Sequence, residues 1–155
     1  METTILKAGD KAPDFSAIDQ DEKGISLSDF KGKKLILYFY PKDNTSGCTA
    51  EACSLRDGYE GLQNLGLEVA GVSPDSSKSH KAFIQKHVLP FRLIADTEHT
   101  IANAYGVWGE KKMYGKSYMG ILRTTFVINN GIITHVFDKV NTKEHVNQIL
   151  TELKK

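Results

Sequence analysis

The clearest structural pattern in this sequence is the segment Leu35-Ile-Leu-Tyr-Phe-Tyr-Pro-Lys-Asp-Asn-Thr-Ser-Gly-Cys48. Its first part, up to Tyr40, is a continuous apolar and aromatic run, which is typical of a strand buried on both faces. Pro41 ends the strand because proline has no N–H to donate to a neighbouring strand. After a polar loop, apolar side chains recur at spacings of three or four from Gly47 to about Leu65, which predicts a helix.

Strands and helices alternate along the rest of the chain. Asn129-Asn-Gly131 predicts a tight turn between the last two strands, because asparagine and glycine tolerate positive φ. Residues 1–34 are polar and turn-rich, and residues 106–122 are glycine-rich without a regular pattern. The predicted strands cover 67–72, 91–95, 124–128 and 132–137, and the predicted helices cover 77–87, 98–105 and 142–153, with Thr142 as the N-cap of the last.

This order of elements predicts an α/β three-layer sandwich. Strands joined through a helix run parallel, whereas hairpin strands run antiparallel, so the central β-sheet is expected to be mixed. The order is compatible with a thioredoxin-like architecture. A length of 155 residues fits a single domain over 1–155.

The composition narrows the classes of function. Twenty basic residues face 19 acidic ones, for a net charge of +1, which favours neither nucleic acid nor an anionic membrane as the main partner. No apolar run approaches the roughly 18 residues of a membrane span. The first residues, METTILKAGDKAP, lack the apolar stretch of a secretory signal, so we expect a cytoplasmic protein.

Two cysteines are too few for a disulfide scaffold. Cys48 falls in the first turn of the predicted helix, where free backbone N–H groups and the helix dipole stabilise a thiolate, the nucleophilic form of cysteine. Cys53 follows five positions later. On an ideal helix their Cα atoms would lie roughly 8–9 Å apart, and a disulfide needs less than about 7 Å. A bond between them therefore requires the helix to unwind.

The residues alone leave other interpretations of the cysteine pair open. Free cysteine is among the most buried residue types, so both side chains could simply belong to the core. A metal site fits less well, because the spacing is not C-x-x-C and no second ligand pair stands nearby. The histidines form no cluster with ligand spacing, and we interpret them all as structural or solvated: His80, His87, His99, His135 and His145.

The segment from Pro41 to Cys48 matches the P-x-x-x-T-x-x-C signature of peroxiredoxins. The continuation to Cys53 and Asp57 resembles the bacterioferritin-comigratory-protein (PrxQ-like) branch, in which a second cysteine sits five residues on in the same helix. The resemblance extends over nearly the whole chain. It includes Gly9-Asp-Lys-Ala-Pro-Asp-Phe15, Gly71-Val-Ser-Pro-Asp75, Tyr105-Gly-Val-Trp108 and Arg123-Thr-Thr-Phe-Val-Ile128.

The resemblance implies a thioredoxin-like fold and reduction of hydrogen peroxide and organic hydroperoxides without a metal or other cofactor. It implies these roles: Cys48 as the attacking thiolate, Cys53 as the resolving cysteine, Thr45 and Arg123 as catalytic and substrate-binding residues, Pro41 as a shield of the pocket, and Glu51 as a support for the arginine. Where this branch often carries proline, the chain has Ser46. We expect altered loop rigidity there and little change in chemistry.

The resemblance also suggests how the enzyme is recycled. Thioredoxin is the expected reductant of the disulfide, with glutaredoxin as a second candidate, and resolution within one chain favours a monomer. The main alternative is a thiol–disulfide oxidoreductase or redox sensor that acts on protein substrates. A non-catalytic interaction module and a metal carrier are further alternatives.

Overall fold

The structure is a computed structural model that describes residues 6–154, apart from the side chain of Met113. The strands are β1 (Ser16–Ile18), β2 (Gly24–Ser26), β3 (Lys34–Phe39), β4 (Leu67–Ser73), β5 (Arg92–Ala95), β6 (Trp108–Met113), β7 (Lys116–Ile121), β8 (Thr124–Asn129) and β9 (Ile132–Phe137). The helices are α1 (Ser46–Asp57), α2 (Tyr59–Asn64), α3 (Ser77–His87), α4 (Thr100–Ala104) and α5 (His145–Leu153), with 3₁₀ helices at Leu27–Phe30 and Thr142–Glu144. Within the described chain, none of the helices has the length and apolar character that crossing a bilayer requires.

The central sheet has the strand order β5-β4-β3-β8-β9 within residues 6–154. β3 pairs in parallel with β4, which pairs in parallel with β5. On its other side β3 pairs antiparallel with β8, and β8 pairs antiparallel with β9. The prediction of a mixed sheet is confirmed.

Strand β3 supplies apolar side chains to both faces of the sheet. Leu35, Leu37 and Phe39 join a core with residues of α4, whereas the alternate residues Ile36 and Tyr38 join a core with residues of α1, α3 and α5. This alternation follows from the period of two in a strand. The sheet therefore lies between two helical layers, and the predicted thioredoxin-like three-layer sandwich is confirmed.

The predicted helix from Gly47 to about Leu65 is two helices in the structure. α1 ends at Asp57 and α2 begins at Tyr59. A Cβ atom at Gly58, between them, would lie only 2.3 Å from Cγ2 of Val146 in α5. The break between the two helices lies beside Val146, and only glycine leaves room for that contact.

Two other segments differ from the sequence-based prediction. Residues 106–122 are not irregular, because β6 and β7 pair antiparallel through a turn at Tyr114 and Gly115, which both have positive φ. A second short hairpin, β1 with β2, lies in the polar region before β3. The predicted N-cap Thr142 is wrong: Asn141 accepts the hydrogen bond from the backbone N–H of Glu144 and caps a 3₁₀ turn before α5.

Candidate active site

Cys48 lies in the first turn of α1, as its position after a buried strand predicts. Thr45 is the N-cap residue and α1 begins at Ser46, so Cys48 is the third residue of the helix. Its side chain is 1% exposed, and its thiol is free. The start of α1 offers backbone N–H groups and the positive end of the helix dipole to a sulfur that is shielded from water.

Arg123 reaches the sulfur from the start of β8. The antiparallel register places Thr124 opposite Phe39 at the end of β3, so the residue before β8 and the loop after β3 lie at the same edge of the sheet. Nη2 of Arg123 lies 3.3 Å from Sγ of Cys48. A Cβ at Gly47 would lie 3.3 Å from the same Nη2 atom, so the glycine gives the guanidinium room to approach.

Glu51 holds the other side of the guanidinium. Nη1 of Arg123 donates to Oε1 of Glu51 at 2.6 Å, and the Glu51 side chain is fully buried one turn of α1 after Cys48. Burial raises the pKa of Glu51 to about 7, although the charge and hydrogen bond of Arg123 oppose the shift. For Arg123, burial alone would lower the pKa, but the neighbouring Glu51 and Cys48 outweigh it and raise that pKa. The arginine is therefore a permanent cation between a thiol and a carboxyl.

His145 lies behind Glu51. Its Nε2 atom is 3.6 Å from Oε2 of Glu51, an oxygen without a hydrogen-bond partner among the described residues. The same Nε2 lies 2.8 Å from Oγ1 of Thr125, and Nδ1 lies 2.9 Å from Oε1 of Gln148. Because an amide oxygen only accepts, Nδ1 carries the proton and Nε2 accepts from Thr125. Burial lowers the pKa of His145 to about 4.

Pro41 and Thr45 lie in the loop that joins β3 to α1. Pro41 is half-buried and directly follows the buried Tyr40. Thr45 is exposed, and its hydroxyl donates to the carbonyl oxygen of Lys42 at 2.9 Å. The structure thus brings Arg123 into contact with both Cys48 and Glu51, and it places the proline and threonine on the adjoining loop.

Cys53 is half-buried on the same unbroken helix as Cys48, and its thiol is also free. With α1 intact over both positions, the arrangement is that of a reduced pair.

Lys111 is a further cation near the site that the sequence did not single out. Its Nζ atom donates to the carbonyl oxygen of Ile121, and burial, aided by the charge of Arg123, lowers its pKa. Its side chain crosses over Gly120, where an added Cβ would lie 3.1 Å from Cδ of the lysine. A glycine in mid-strand, here in β7, is the signal that could have indicated such a crossing.

Comparison with known proteins agrees with this geometry. The AhpC/TSA family matches residues 8–136. The chain belongs to this family. It is 49% identical over 150 residues to a putative peroxiredoxin Bcp of Haemophilus influenzae, covering 96% of this chain and 97% of the relative. It is 47% identical over 150 residues to peroxiredoxin Bcp of Bacillus subtilis, covering 96% of each chain.

Solved structures of peroxiredoxins share the fold. A PrxQ mutant of Xylella fastidiosa superposes with a TM-score of 0.91 at 31% identity and covers 98% of both chains. Peroxiredoxin Q of Xanthomonas campestris gives 0.86 at 33% identity, covering 97% of this chain and 96% of its own. The prediction of a peroxiredoxin of the bacterioferritin-comigratory branch is confirmed, and with it the thiol-dependent peroxidase class.

Proposed function

We infer that this peroxiredoxin reduces hydrogen peroxide and organic hydroperoxides with Cys48 as the attacking thiolate. The observation that carries the assignment is the position of Arg123, with one nitrogen 3.3 Å from the Cys48 sulfur and the other 2.6 Å from Glu51. A solved structure of the related Xanthomonas campestris bacterioferritin comigratory protein concerns alkyl peroxide reduction, which supports organic hydroperoxides as substrates.

The first step oxidises Cys48 and reduces the peroxide. The thiolate sulfur attacks one peroxide oxygen, the O–O bond breaks, and the other oxygen leaves with its electron pair as hydroxide or alkoxide, which takes up a proton. Cys48 becomes a sulfenic acid. Arg123 favours the thiolate by its charge and offers planar donors to the leaving oxygen. The Thr45 hydroxyl donates to or accepts from the peroxide, and Pro41 limits water at the sulfur.

The second step joins the two cysteines of α1. The Cys53 thiolate attacks the sulfenic sulfur, the S–O bond breaks, and the departing hydroxide leaves as water once protonated. The product is a disulfide between Cys48 and Cys53. Since an intact helix holds the Cα atoms of such a pair roughly 8–9 Å apart, α1 must unwind around residues 46–58 for the bond to form.

A dithiol protein then returns the enzyme to its reduced form. We assign this step to thioredoxin, with glutaredoxin as the second candidate, because the chain has no C-x-x-C pair of its own. Both cysteines lie on one helix, so resolution needs no second subunit, which supports a monomer built as one domain over 1–155. A thiol used against peroxide and recycled by dithiol proteins fits the reducing cytoplasm.

The test couples peroxide reduction to NADPH consumption through thioredoxin and its reductase. Wild type should consume NADPH in a peroxide-dependent way, and Cys48→Ser should abolish the activity. Mass spectrometry after one equivalent of peroxide should show an internal disulfide in wild type and a sulfenic or higher oxide on Cys48 in Cys53→Ser. No consumption above the thioredoxin background would exclude the peroxidase and favour a thiol–disulfide oxidoreductase or redox sensor.

A further inference from the structure

A second buried polar cluster joins the loop before α1 to helix α3. His80 of α3 is fully buried, and its Nδ1 atom lies 2.8 Å from Oδ2 of Asp43 in that loop. On the other side of the ring, Nε2 lies 2.9 Å from the carbonyl oxygen of Ile94 in β5. The peroxide chemistry described above uses neither His80 nor Asp43.

The partners of His80 define a buried ion pair. Both ring nitrogens face atoms that accept hydrogen bonds, and a neutral imidazole has a single N–H. Satisfying both acceptors puts a proton on each nitrogen and a positive charge on the ring. Burial alone would raise the pKa of the Asp43 carboxyl, but the hydrogen bond and charge of His80, with the hydrogen bonds of Tyr40 and Ser79, together outweigh it, so that pKa lies below its usual value. The two buried charges therefore compensate each other.

Asp43 has several further contacts that fix its orientation. Oδ1 accepts from the Tyr40 hydroxyl at 2.6 Å, and Oδ2 also accepts from Oγ of Ser79 at 2.8 Å. Its backbone N–H donates to Oδ2 of Asp75 at 2.8 Å. Because both the side chain and the backbone of Asp43 are held, the loop has a fixed point at this residue.

The cluster also has the spacing of a metal site, since ligand atoms of Asp43, Asp75 and His80 lie within 4.8 Å of one another. Both nitrogens of His80 are used as donors, so neither has a lone pair for a metal. Oδ2 of Asp75 already accepts from the Asp43 N–H and from Oγ of Ser73 at 2.6 Å. The geometry points to an ion pair that holds the loop.

The loop anchored by Asp43 carries groups proposed to meet the peroxide. Pro41 lies two residues before the anchor and Thr45 two residues after it. Asn44 has a φ of 65°, a left-handed conformation that the loop maintains through its contacts. The Thr45 hydroxyl donates to the carbonyl oxygen of Lys42, so a hydrogen bond within the loop joins its two sides. A movement of Asp43 is therefore expected to move Thr45 within the same loop.

We propose that His80 is a positioning residue for peroxide reduction, because through Asp43 it holds loop 41–46 in the conformation that presents the peroxide to Cys48. This rests on the proposed role of Cys48 as the attacking thiolate. The thiolate itself is stabilised by Arg123 and the helix start, which His80 does not contact. Loss of His80 should thus slow a reaction that needs an oriented substrate more than one that needs only the thiolate.

The test compares two reactions of Cys48 in His80→Gln and Asp43→Asn, since glutamine cannot place donors on two opposite sides. The second-order rate constant for Cys48 oxidation by hydrogen peroxide, from rapid quench and mass spectrometry, should fall about tenfold or more. Alkylation of Cys48 by iodoacetamide at the same pH should stay close to the wild-type rate. His87→Gln is the matched control in the same helix, because its ring packs on Phe83 instead, and both rates should be unchanged.

Two results overturn the proposal: a peroxide rate that is unchanged in both variants, or peroxide and alkylation rates that fall together. If a variant does not fold, Tyr40→Phe and Ser79→Ala carry the same comparison, since each removes one donor to Asp43. The rate of Cys48 oxidation by peroxide should then fall several-fold while the alkylation rate stays the same. An unchanged oxidation rate overturns the proposal. Failure of the proposed function is distinguishable, because wild-type Cys48 would then stay unoxidised by peroxide.

Discussion

The Sγ atom of Cys48 lies 3.3 Å from Nη2 of Arg123, although 75 positions separate the two residues in the sequence. They meet because β3 leads into the loop before α1 and β8 begins directly opposite the end of β3. The contact gives the sulfur a cation and a donor at once. The same guanidinium is held by Glu51 on its far side, so its direction is set before any substrate arrives.

Replacing Arg123 with lysine should slow peroxide reduction by about a hundredfold, comparable to the loss of one donor from an oxyanion site. Lysine keeps the charge but loses the planar fork that contacts the sulfur and Glu51 together. Rapid-quench oxidation of Cys48 by hydrogen peroxide measures the effect. Arg92→Lys is the matched control, because Arg92 pairs with Asp19 at 2.8 Å and the proposed mechanism gives it no role at the sulfur. Equal rates in Arg123→Lys and wild type would contradict the assignment.

Glu51→Gln should remove a pH-dependent loss of stability. The pKa of Glu51 is raised by burial from 4.5 to about 7, so the folded protein binds this proton more tightly than the unfolded chain does. The contribution of Glu51 is greatest below pH 4.5 and is lost as the pH rises to 7. Relative to Glu51→Gln, wild type should lose about 3 kcal/mol of unfolding free energy across that interval.

Urea unfolding of the reduced proteins at a series of pH values measures this difference. Glu60→Gln, at an exposed position of α2, is the control and should follow the wild-type pH profile. A constant difference between wild type and Glu51→Gln from pH 4.5 to 7 would show that Glu51 does not titrate in this range.

His145→Asn should reveal the opposite dependence of the unfolding free energy on pH. Burial lowers the pKa of His145 from 6.5 to about 4, so the unfolded chain binds this proton more tightly. The stability contributed by neutral His145 is fully present above pH 6.5 and is lost as the pH falls toward 4, by about 3 kcal/mol. The same unfolding series should show a flatter acid limb in His145→Asn than in wild type. His135→Asn, at a half-buried position of β9, serves as the control.

In wild type, the contributions of Glu51 and His145 to the unfolding free energy change with pH in opposite directions. The contribution of Glu51 is lost as the pH rises, and that of His145 is lost as the pH falls. Their facing atoms are 3.6 Å apart, so the two titrations should also be coupled. The double variant Glu51→Gln with His145→Asn is therefore expected to depart from the sum of the single variants.

The sequence predicted the elements whose apolar pattern is strong. The buried run at β3 and the helix at Ser77–His87 fall where their patterns place them, and the Asn129-Asn-Gly131 turn joins the last two strands. The sequence does not predict the hairpin of β6 and β7, because most of the side chains of β7 are exposed and show no apolar alternation. In its turn Tyr114 has a left-handed conformation, which the residue type does not predict.

The site was predictable only in part. The placement of Cys48 followed from a strand, a loop and a helix that are adjacent in sequence. Only the family resemblance predicts a role for Arg123, because no local pattern connects it to the cysteine. The pairing of Asp43 with His80 arises from the parallel pairing of β3 with β4, which brings α3 beside the loop. Such contacts depend on strand order, which periodicity does not specify.

Oxidation of the cysteine pair should loosen the start of α5. Oγ of Ser54 accepts a hydrogen bond from the backbone N–H of Val146 at 3.0 Å, and so satisfies an N–H in the first turn of α5 that has no partner within the helix. Ser54 directly follows Cys53, within the segment that must unwind for the disulfide to form. Ser54→Ala should cost about 1 kcal/mol of stability in the reduced protein.

Amide hydrogen exchange at Val146, compared between reduced and peroxide-treated protein, tests this link. Exchange should accelerate on oxidation in wild type. In Ser54→Ala it should already be fast in the reduced form, which shrinks the redox difference. Ser117→Ala, at an exposed position of β7, is the control and should behave as wild type. Equal protection of Val146 in the two states, with the disulfide verified by mass spectrometry, would mean that α1 unwinds without releasing this hydrogen bond.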